Sequence, residues 1–290
     1  MHAYNANDAV RYFTNGSHMY PCTYQFPVST FGEAVDFAQT MTDMYIGLLA
    51  NIQQRTAMNL GSDAHPIIYV LAQALGQEGQ QSGWFRSLRR IPPSAEPFLT
   101  TSTREFALGW MQHWIVPGSC PNMHDIPLRV PPPLQITAVS IGDAAHSGNV
   151  TLLAPGALDP SSQRVAFVNG ALVPTIVPFE IRQTSPCDGD DQDIQDLRSV
   201  KRKWENRWNR DGQTILVSGG TVDTRQEGVG GCIASTEIVA DMPYAQNVMH
   251  GLILMAVVEN SGDSEDEAVF ITAQDVADAT VYGPALVEWS

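Results

Sequence analysis

The stretch IIYVLAQALGQEGQQSGWFRSL, residues 67–88, decides how the first part of this chain folds. Its apolar residues recur at steps of three and four, which predicts a helix that buries one face. Polar residues occupy the middle of this helix, among them Gln77, Glu78 and Gln81. A carboxylate flanked by amides at the centre of a helix predicts either metal ligands or hydrogen-bonding groups for an organic molecule.

The segments on either side of this stretch carry helical signals as well. Thr30 and Glu33 have the spacing of a capping box, in which the hydroxyl and the carboxylate bond each other's backbone amides, and an apolar stripe follows them. Ser102 and Glu105 repeat the same spacing before a third apolar stripe. Residues 1–116 are therefore predicted to form a helical domain.

The pattern changes after residues 117–133, a proline-rich segment that is predicted to be a linker. Beyond it, short runs of alternating apolar residues are separated by Gly, Pro and Asn, which predicts an antiparallel β-sandwich. An acidic stretch followed by a basic one, at about residues 187–210, predicts an insertion in this β-rich domain, residues 134–290. The predicted strands lie within residues 133–142, 149–155, 164–181, 214–220, 232–240, 251–260, 268–273 and 280–289.

The charge balance of the chain bears on its partners. The 290 residues include 31 acidic and 16 basic side chains, for a net charge of −15. Such a chain repels nucleic acid and anionic membranes, so we expect neither as a partner. No apolar run approaches the roughly 20 residues that are needed to cross a bilayer.

Cysteines and glycosylation signals favour an extracellular location. The cysteines are widely spaced and contain no C-x-x-C pair, so zinc is not expected and disulfides are possible. Two Asn-x-Ser/Thr sequons support a secreted protein. The N-terminus has no apolar signal core, so we expect any signal peptide to be absent from this sequence. The disulfide candidates are Cys22, Cys120, Cys187 and Cys232, and the glycosylation candidates are Asn15 and Asn149.

Several short motifs carry a family resemblance. They are Leu75–Arg86, Pro97–Thr101, Arg104–Ala107 and Gly283–Ala285. In these motifs the chain resembles a fungal family that is described as late sexual development or stress-response proteins with a ferritin-like domain. The resemblance implies a ferritin-like helical bundle followed by a β domain, common secretion, and ancestry among di-iron proteins.

The ligand set of a di-iron centre is missing from the sequence. Such a centre needs a Glu from each of two helices and a Glu-x-x-His from each of the other two. No Glu-x-x-His occurs, and the position three residues after Glu78 is Gln81. Because an amide binds iron poorly, we expect no metal and no other cofactor.

Two interpretations of the polar helix centre then stay open. It is either a polar network satisfied within a packed core or part of a cavity for an apolar small molecule. For the cavity, Gln77, Gln81 and His113 are the candidate catalytic donors, and Glu78 is expected to orient them. The predicted pocket walls are Met41, Tyr45, Trp84, Phe85, Trp110 and Trp114. Met and Trp at helical spacing are also typical of an ordinary core, and the junction with the β domain is an alternative place for the pocket.

Two functional hypotheses follow. The first is a metal- and cofactor-independent enzyme of fungal secondary metabolism that steers a pericyclic, hetero-Diels-Alder type cyclisation by orientation and by donors aimed at a carbonyl. The second is a secreted developmental or stress protein that acts without catalysis. A residual di-iron protein is a third hypothesis, against which the missing ligands argue. The sequence leaves the oligomeric state open, a homo-oligomer included.

Overall fold

A computed structural model shows how this chain folds. It describes residues 7–8, 11, 16, 18–140, 148–171, 173–185, 207–208, 214–218, 235–243, 249–260 and 270–289. Helices come first and antiparallel strands follow, which is the α+β organisation that the sequence predicts.

Three α-helices lie within residues 18–140 and form the first part of the fold there. Thr30 begins the first of them with the predicted capping box, in which its hydroxyl accepts from the Glu33 N–H and the Glu33 carboxylate accepts from the Thr30 N–H. A single 3₁₀ turn, Gly61–Ala64, separates the first two helices and makes them an antiparallel hairpin. The helices are α1, Phe31–Leu60, α2, His65–Leu88, and α3, Arg104–Met111.

The second predicted capping box is wrong. The helix α3 begins one residue later than expected, because Thr103 is its N-cap and accepts from the Phe106 N–H. The Ser102 hydroxyl is fully buried and donates to the sulfur of Met44 instead. The Ser102 hydroxyl thus makes a tertiary contact with Met44 and does not cap the helix as the local pattern predicts.

Among the described residues, ten strands make two antiparallel sheets. One has the order β1-β2-β8-β5 and the other the order β4-β3-β9-β10-β7-β6. A short helix, α4, Ala273–Ala279, precedes the last strand, so the strand predicted at residues 268–273 is wrong where the structure describes it. The strands are β1 Gln135–Ser140, β2 Gly148–Ala154, β3 Gln163–Asn169, β4 Thr175–Val177, β5 Phe179–Ser185, β6 Arg207–Trp208, β7 Thr214–Ser218, β8 Ser235–Met242, β9 Gly251–Glu259 and β10 Thr280–Trp289.

The central strand β9 takes part in two hydrophobic cores. Ile253, Met255 and Val257 point into the space between the two sheets, where they join residues of the four-stranded sheet. The residues between them, such as Leu254 and Ala256, point to the other side and join the helices. Because both faces are covered, nearly every residue of β9 is buried, which explains its continuous apolar sequence.

The helices form a third layer on the six-stranded sheet. Phe37 and Met44 of α1, with Phe106 and Trp110 of α3, pack on the outer face of that sheet in one hydrophobic cluster. The helix α2 lies along α1. A four-helix ferritin-like bundle is not seen among the described residues, so the architecture is α+β with helices layered on a two-sheet assembly.

A disulfide joins the N-terminal segment to the chain that follows α3. It links Cys22 and Cys120, which are 98 residues apart in the sequence, and it confirms these two as a bonded pair. The other two disulfide candidates, Cys187 and Cys232, lie outside the described residues.

Two further expectations concern the surface and the membrane. Asn149 lies in β2 with its side chain exposed, whereas Asn15 falls outside the described residues. Within the described part of the chain, every helix is too short or too polar to cross a bilayer. The glycosylation of Asn149 stays a prediction.

Candidate functional site

The polar centre of α2 lies at its interface with α1. Ser82 and Arg86 are the two buried residues of α2. Glu78, Gln81 and Phe85 are half-buried beside them. All five lie within three helical turns, so one stretch of α2 meets the rest of the molecule with mainly polar side chains.

Tyr45 of α1 lies near this polar centre. Its side chain is half-buried, and burial raises the pKa of its phenol, as do the nearby charges of Tyr24 and Glu78. The phenol therefore stays protonated and is a hydrogen-bond donor. A neutral phenol near a carboxylate offers a donor and an acceptor to one organic molecule.

Tyr24 comes from residues 18–30, which we call the strap. Its backbone pairs with Ile115 in an isolated β-bridge. The Gln25 N–H donates to the Trp114 carbonyl at 2.7 Å. Together with the disulfide, these bonds hold the strap against the end of α3 and bring Tyr24 near Tyr45.

A buried ion cluster lies next to this site. Glu288 of β10 is 2 % exposed and accepts hydrogen bonds from the Gln39 amide and the Thr40 hydroxyl of α1. Guanidinium nitrogens of Arg86 and Arg89 lie 3.9 and 3.7 Å from its Oε1. The charged members of the cluster are Asp36, Asp43, Arg86, Arg89 and Glu288.

The same cluster sets how α2 lies along α1. Arg89 Nε is 2.7 Å from Asp36 Oδ1. The Ser82 hydroxyl donates to Asp43 Oδ1 at 2.7 Å. Ser82 is next to Gln81, and Asp43 is two residues before Tyr45, so these bonds set the register of the side chains around Tyr45.

The excess of carboxylates over guanidinium groups explains why the cluster binds a proton. Two guanidinium groups face three carboxylates, which leaves one negative charge without a counterion. Burial and the charge of Asp43 raise the pKa of Glu288 to about 7. Burial also raises the pKa of Asp43 and lowers that of Arg86. The cluster therefore holds a proton up to near neutral pH.

The ion cluster is not arranged as a metal site. Its two arginines supply positive charge among the carboxylates, which a bound cation would otherwise provide. Among the described residues, no three His, Cys, Asp or Glu side chains are grouped so that they could hold a metal ion.

The structure brings together only part of the predicted site. Tyr45, Glu78 and Gln81 lie at the interface of α1 and α2, and Met41 lies one turn before Tyr45, partly buried against the helix–sheet core. Gln77 is exposed on another side of α2.

The predicted aromatic walls are divided between two places. Trp110 and Trp114 are at most 2 % exposed, with ring centroids 5.6 and 5.5 Å from that of Phe37, and belong to the helix–sheet core. The half-buried His113 lies edge-on to Trp114 at 6.2 Å. Trp84 is 59 % exposed on α2, and its ring lies 5.4 Å from the half-buried ring of Phe85.

Helical spacing in the sequence predicts neither Tyr24 nor the ion cluster as part of the site. Arg86 and Glu288 lie on elements far apart in the chain, and helical periodicity carries no information about a strand at the other end. One signal was present: Glu288 is the single charged residue in the apolar run of β10. A lone carboxylate in a buried strand predicts a buried partner.

The comparisons with known proteins do not assign a family. No protein-family model matches the chain, and no curated protein matches it either. The resemblance to late sexual development proteins therefore stays a prediction.

Proposed function

We propose that the chain is a cofactor-independent enzyme that binds an apolar small molecule beside Tyr45 and directs a pericyclic cyclisation of the hetero-Diels-Alder type. The observation that carries the proposal is the half-buried Tyr45 phenol, which burial and the neighbouring Glu78 and Tyr24 keep protonated. Apolar Met41 lies one turn before Tyr45 on α1, and the half-buried Phe85 lies two turns after Glu78 on α2, so apolar side chains accompany one donor and one acceptor. This combination is typical of small-molecule sites.

The reaction demands little of the protein. A conjugated carbonyl compound and an alkene form one C–C and one C–O bond while three π bonds become one, so no proton or electron enters or leaves. The Tyr45 hydroxyl would donate to the carbonyl oxygen as negative charge develops there. Glu78 and Gln81 would hold the phenol and the reactant in position, and the apolar side chains would keep the two reacting ends together.

The ion cluster stabilises the positions of α1 and α2 beside the proposed site. Ser82 holds Asp43, and Arg89 holds Asp36, so α1 and α2 are fixed relative to each other at the site. A pericyclase depends on such rigidity, because misplacement of about 1 Å can cost roughly a hundredfold in rate.

Ligand binding is tested first, by native mass spectrometry of deglycosylated protein from a fungal host. We expect an apolar organic adduct on the wild-type chain and on Tyr69→Ala, which changes an exposed tyrosine of α2. Tyr45→Ala is expected to lose the adduct. A wild-type chain without any organic adduct would contradict the binding site.

Catalysis is tested with an α,β-unsaturated ketone and an electron-rich alkene, with chiral chromatography of the product. The wild-type protein should give one enantiomer in excess over the spontaneous racemic background. Tyr45→Phe should reduce the catalysed rate by roughly a hundredfold, as for removal of one donor to a developing oxyanion, and Tyr69→Phe should not. Racemic product formed at the rate of the protein-free control would contradict the proposed catalysis.

The second candidate is a non-catalytic developmental or stress protein. The packing of Trp110 and Trp114 favours it, since these side chains fill the helix–sheet core and leave a smaller aromatic site than the sequence predicts. It predicts a protein with neither adduct nor product. The disulfide and the exposed Asn149 support secretion for either candidate, and a glycan mass on the Asn149 peptide that Asn149→Gln removes would test it.

A further inference from the structure

The outer side of α2 is exposed and carries no charge. Thirteen of the 24 residues of α2 are exposed, and none of the thirteen is Asp, Glu, Lys or Arg. The two charged residues of the helix are the half-buried Glu78 and the buried Arg86. A helix face that stays in water is normally polar and charged, so this face has the composition of one that is covered.

Two glycines at the middle of this face have no explanation within the described part of the chain. A Cβ added at Gly76 or Gly79 would meet none of the described residues within 4 Å. Both have helical backbone, in which glycine is less favourable than alanine. By contrast, a Cβ at Gly47 of α1 would lie 2.6 Å from the Ser102 backbone nitrogen. Close packing within the chain explains why position 47 is glycine. Glycine at position 76 would be explained in the same way if the backbone of another molecule packed against it.

The exposed stripe is symmetrical about its centre. Read in order, it is Tyr69, Gln73, Gly76, Gln80 and Trp84, all exposed and within about 80° of helix surface. The aromatic residues lie at equal distances from the point between residues 76 and 77, and so do the two glutamines. A two-fold interface requires such self-complementarity. If one residue of the first copy contacts a second residue of the other copy, the symmetry repeats this contact with the two copies exchanged.

We propose that α2 pairs with α2 of a second copy of this chain, antiparallel and around a two-fold axis at Gly76–Gln77, to form a homodimer. Tyr69 of each copy then lies opposite Trp84 of the other, and Gln73 opposite Gln80. Gly76 lets the two backbones approach at the crossing point. This proposal is independent of the activity proposed above.

The charge of the chain favours a second copy over other partners. With a net charge of −15, two copies repel each other, and a face without charge is where they can approach at least cost. An anionic lipid surface would need Lys or Arg on the face, and the exposed residues of α2 include neither. The alternating glutamines suit hydrogen bonds across a helix pair.

The size of the face predicts a weak dimer. A 24-residue helix is about 36 Å long and about 10 Å wide, so the pair buries about 700 Å² in total. That is below the roughly 1,000 Å² of a stable specific interface and fits a weak, transient one. We therefore expect reversible dimerisation in the micromolar range, which depends on protein concentration.

The first test is sedimentation equilibrium of the full chain from about 1 to about 100 μM. The wild-type chain should change from monomer to dimer within this range. Gly76→Glu places two carboxylates near the two-fold axis and should raise the dissociation constant at least about tenfold. Gly32→Glu is the matched control, since Gly32 is also an exposed helical glycine without neighbours, and it should dimerise like the wild type.

The second test concerns the antiparallel register. Tyr69→Lys and Trp84→Glu should each weaken the dimer, and the double variant should restore it, because Lys then faces Glu of the other copy at both ends. Positions 69 and 84 are about 22 Å apart along one helix, so the restoration cannot arise within a copy. A wild-type chain that stays monomeric, equal dimerisation of Gly76→Glu, or a double variant no better than the single ones would overturn the proposal.

Discussion

The two helices of the hairpin differ in what holds them. Ten residues of α1 are buried, and they include apolar side chains that pack on the six-stranded sheet. Only two residues of α2 are buried, and both, Ser82 and Arg86, are polar. The helix α1 is therefore attached by apolar contacts with the sheet as well as by buried polar groups, whereas the fully buried groups of α2 make only hydrogen bonds and ion pairs. A helix held in this way keeps its other side available for contacts outside the chain.

The largest expected effect comes from breaking the polar attachment of α2. Arg86→Met removes one guanidinium while keeping an unbranched apolar side chain, and it leaves the carboxylates of Glu288 and Asp43 without that counterion. We expect the free energy of unfolding to fall by about 3–5 kcal/mol. Urea denaturation measures this loss, with Arg90→Met as the control because Arg90 is exposed. An equal loss in the two variants would show that the cluster does not hold α2.

A tryptophan of the helix–sheet core and a tryptophan of α2 should contribute very differently to stability. Trp110 is 1 % exposed, so Trp110→Ala leaves a cavity and should cost about 3–5 kcal/mol. Trp84 is 59 % exposed, and Trp84→Ala should change the stability of the monomer by at most about 0.5 kcal/mol. Thermal unfolding of dilute protein measures both, and similar losses would mean that Trp84 is buried in solution.

The pH dependence of stability tests the charge count of the ion cluster. Because the pKa of Glu288 is raised from 4.5 to about 7, the native chain binds more protons than the unfolded chain between these values. The free energy of unfolding should therefore fall as pH rises from about 4.5 to about 7, by at most about 1.4 kcal/mol per pH unit for this group. Glu288→Gln should flatten the profile in this window.

Glu96 contributes in the same direction. Burial raises its pKa to about 7 although the Asn169 amide donates to it at 2.9 Å. Glu96→Gln should therefore flatten part of the same window, and the double variant should flatten it most. Denaturant titrations at several pH values separate the two, and a wild-type profile that rises with pH in this window would contradict both assignments.

Substitutions of two glycines, one on each helix, should change stability in opposite directions. Gly47→Ala should destabilise by about 1–3 kcal/mol, since the new Cβ would meet the backbone of Thr100 and Ser102. Gly76→Ala should stabilise the monomer by about 0.5–1 kcal/mol, because the space around it is open and alanine favours the helix. Chemical denaturation at low protein concentration measures both changes, and the same sign for both would contradict the difference between the helices.

Local signals predicted the elements better than the site. The capping box of Thr30, the helical stripes and the buried strand β9 follow from residue spacing alone, because they involve neighbours in the sequence. The predicted pocket combined Trp84 with Trp110 as walls of one cavity. Those two residues are on different helices, and which sides of two helices face each other depends on a third element, here the six-stranded sheet.

The sequence by itself determined the change from helical to strand periodicity and the acidic net charge, since each is a property of residue order or composition. Only the tertiary structure decided that Glu288 of the last strand meets Arg86 and Arg89 at the end of α2. It also decided that the uncharged side of α2 faces outward. The reason is physical: periodicity shows that a helix has two unlike sides, but the covering of either side depends on residues distant in the chain, which local spacing does not encode.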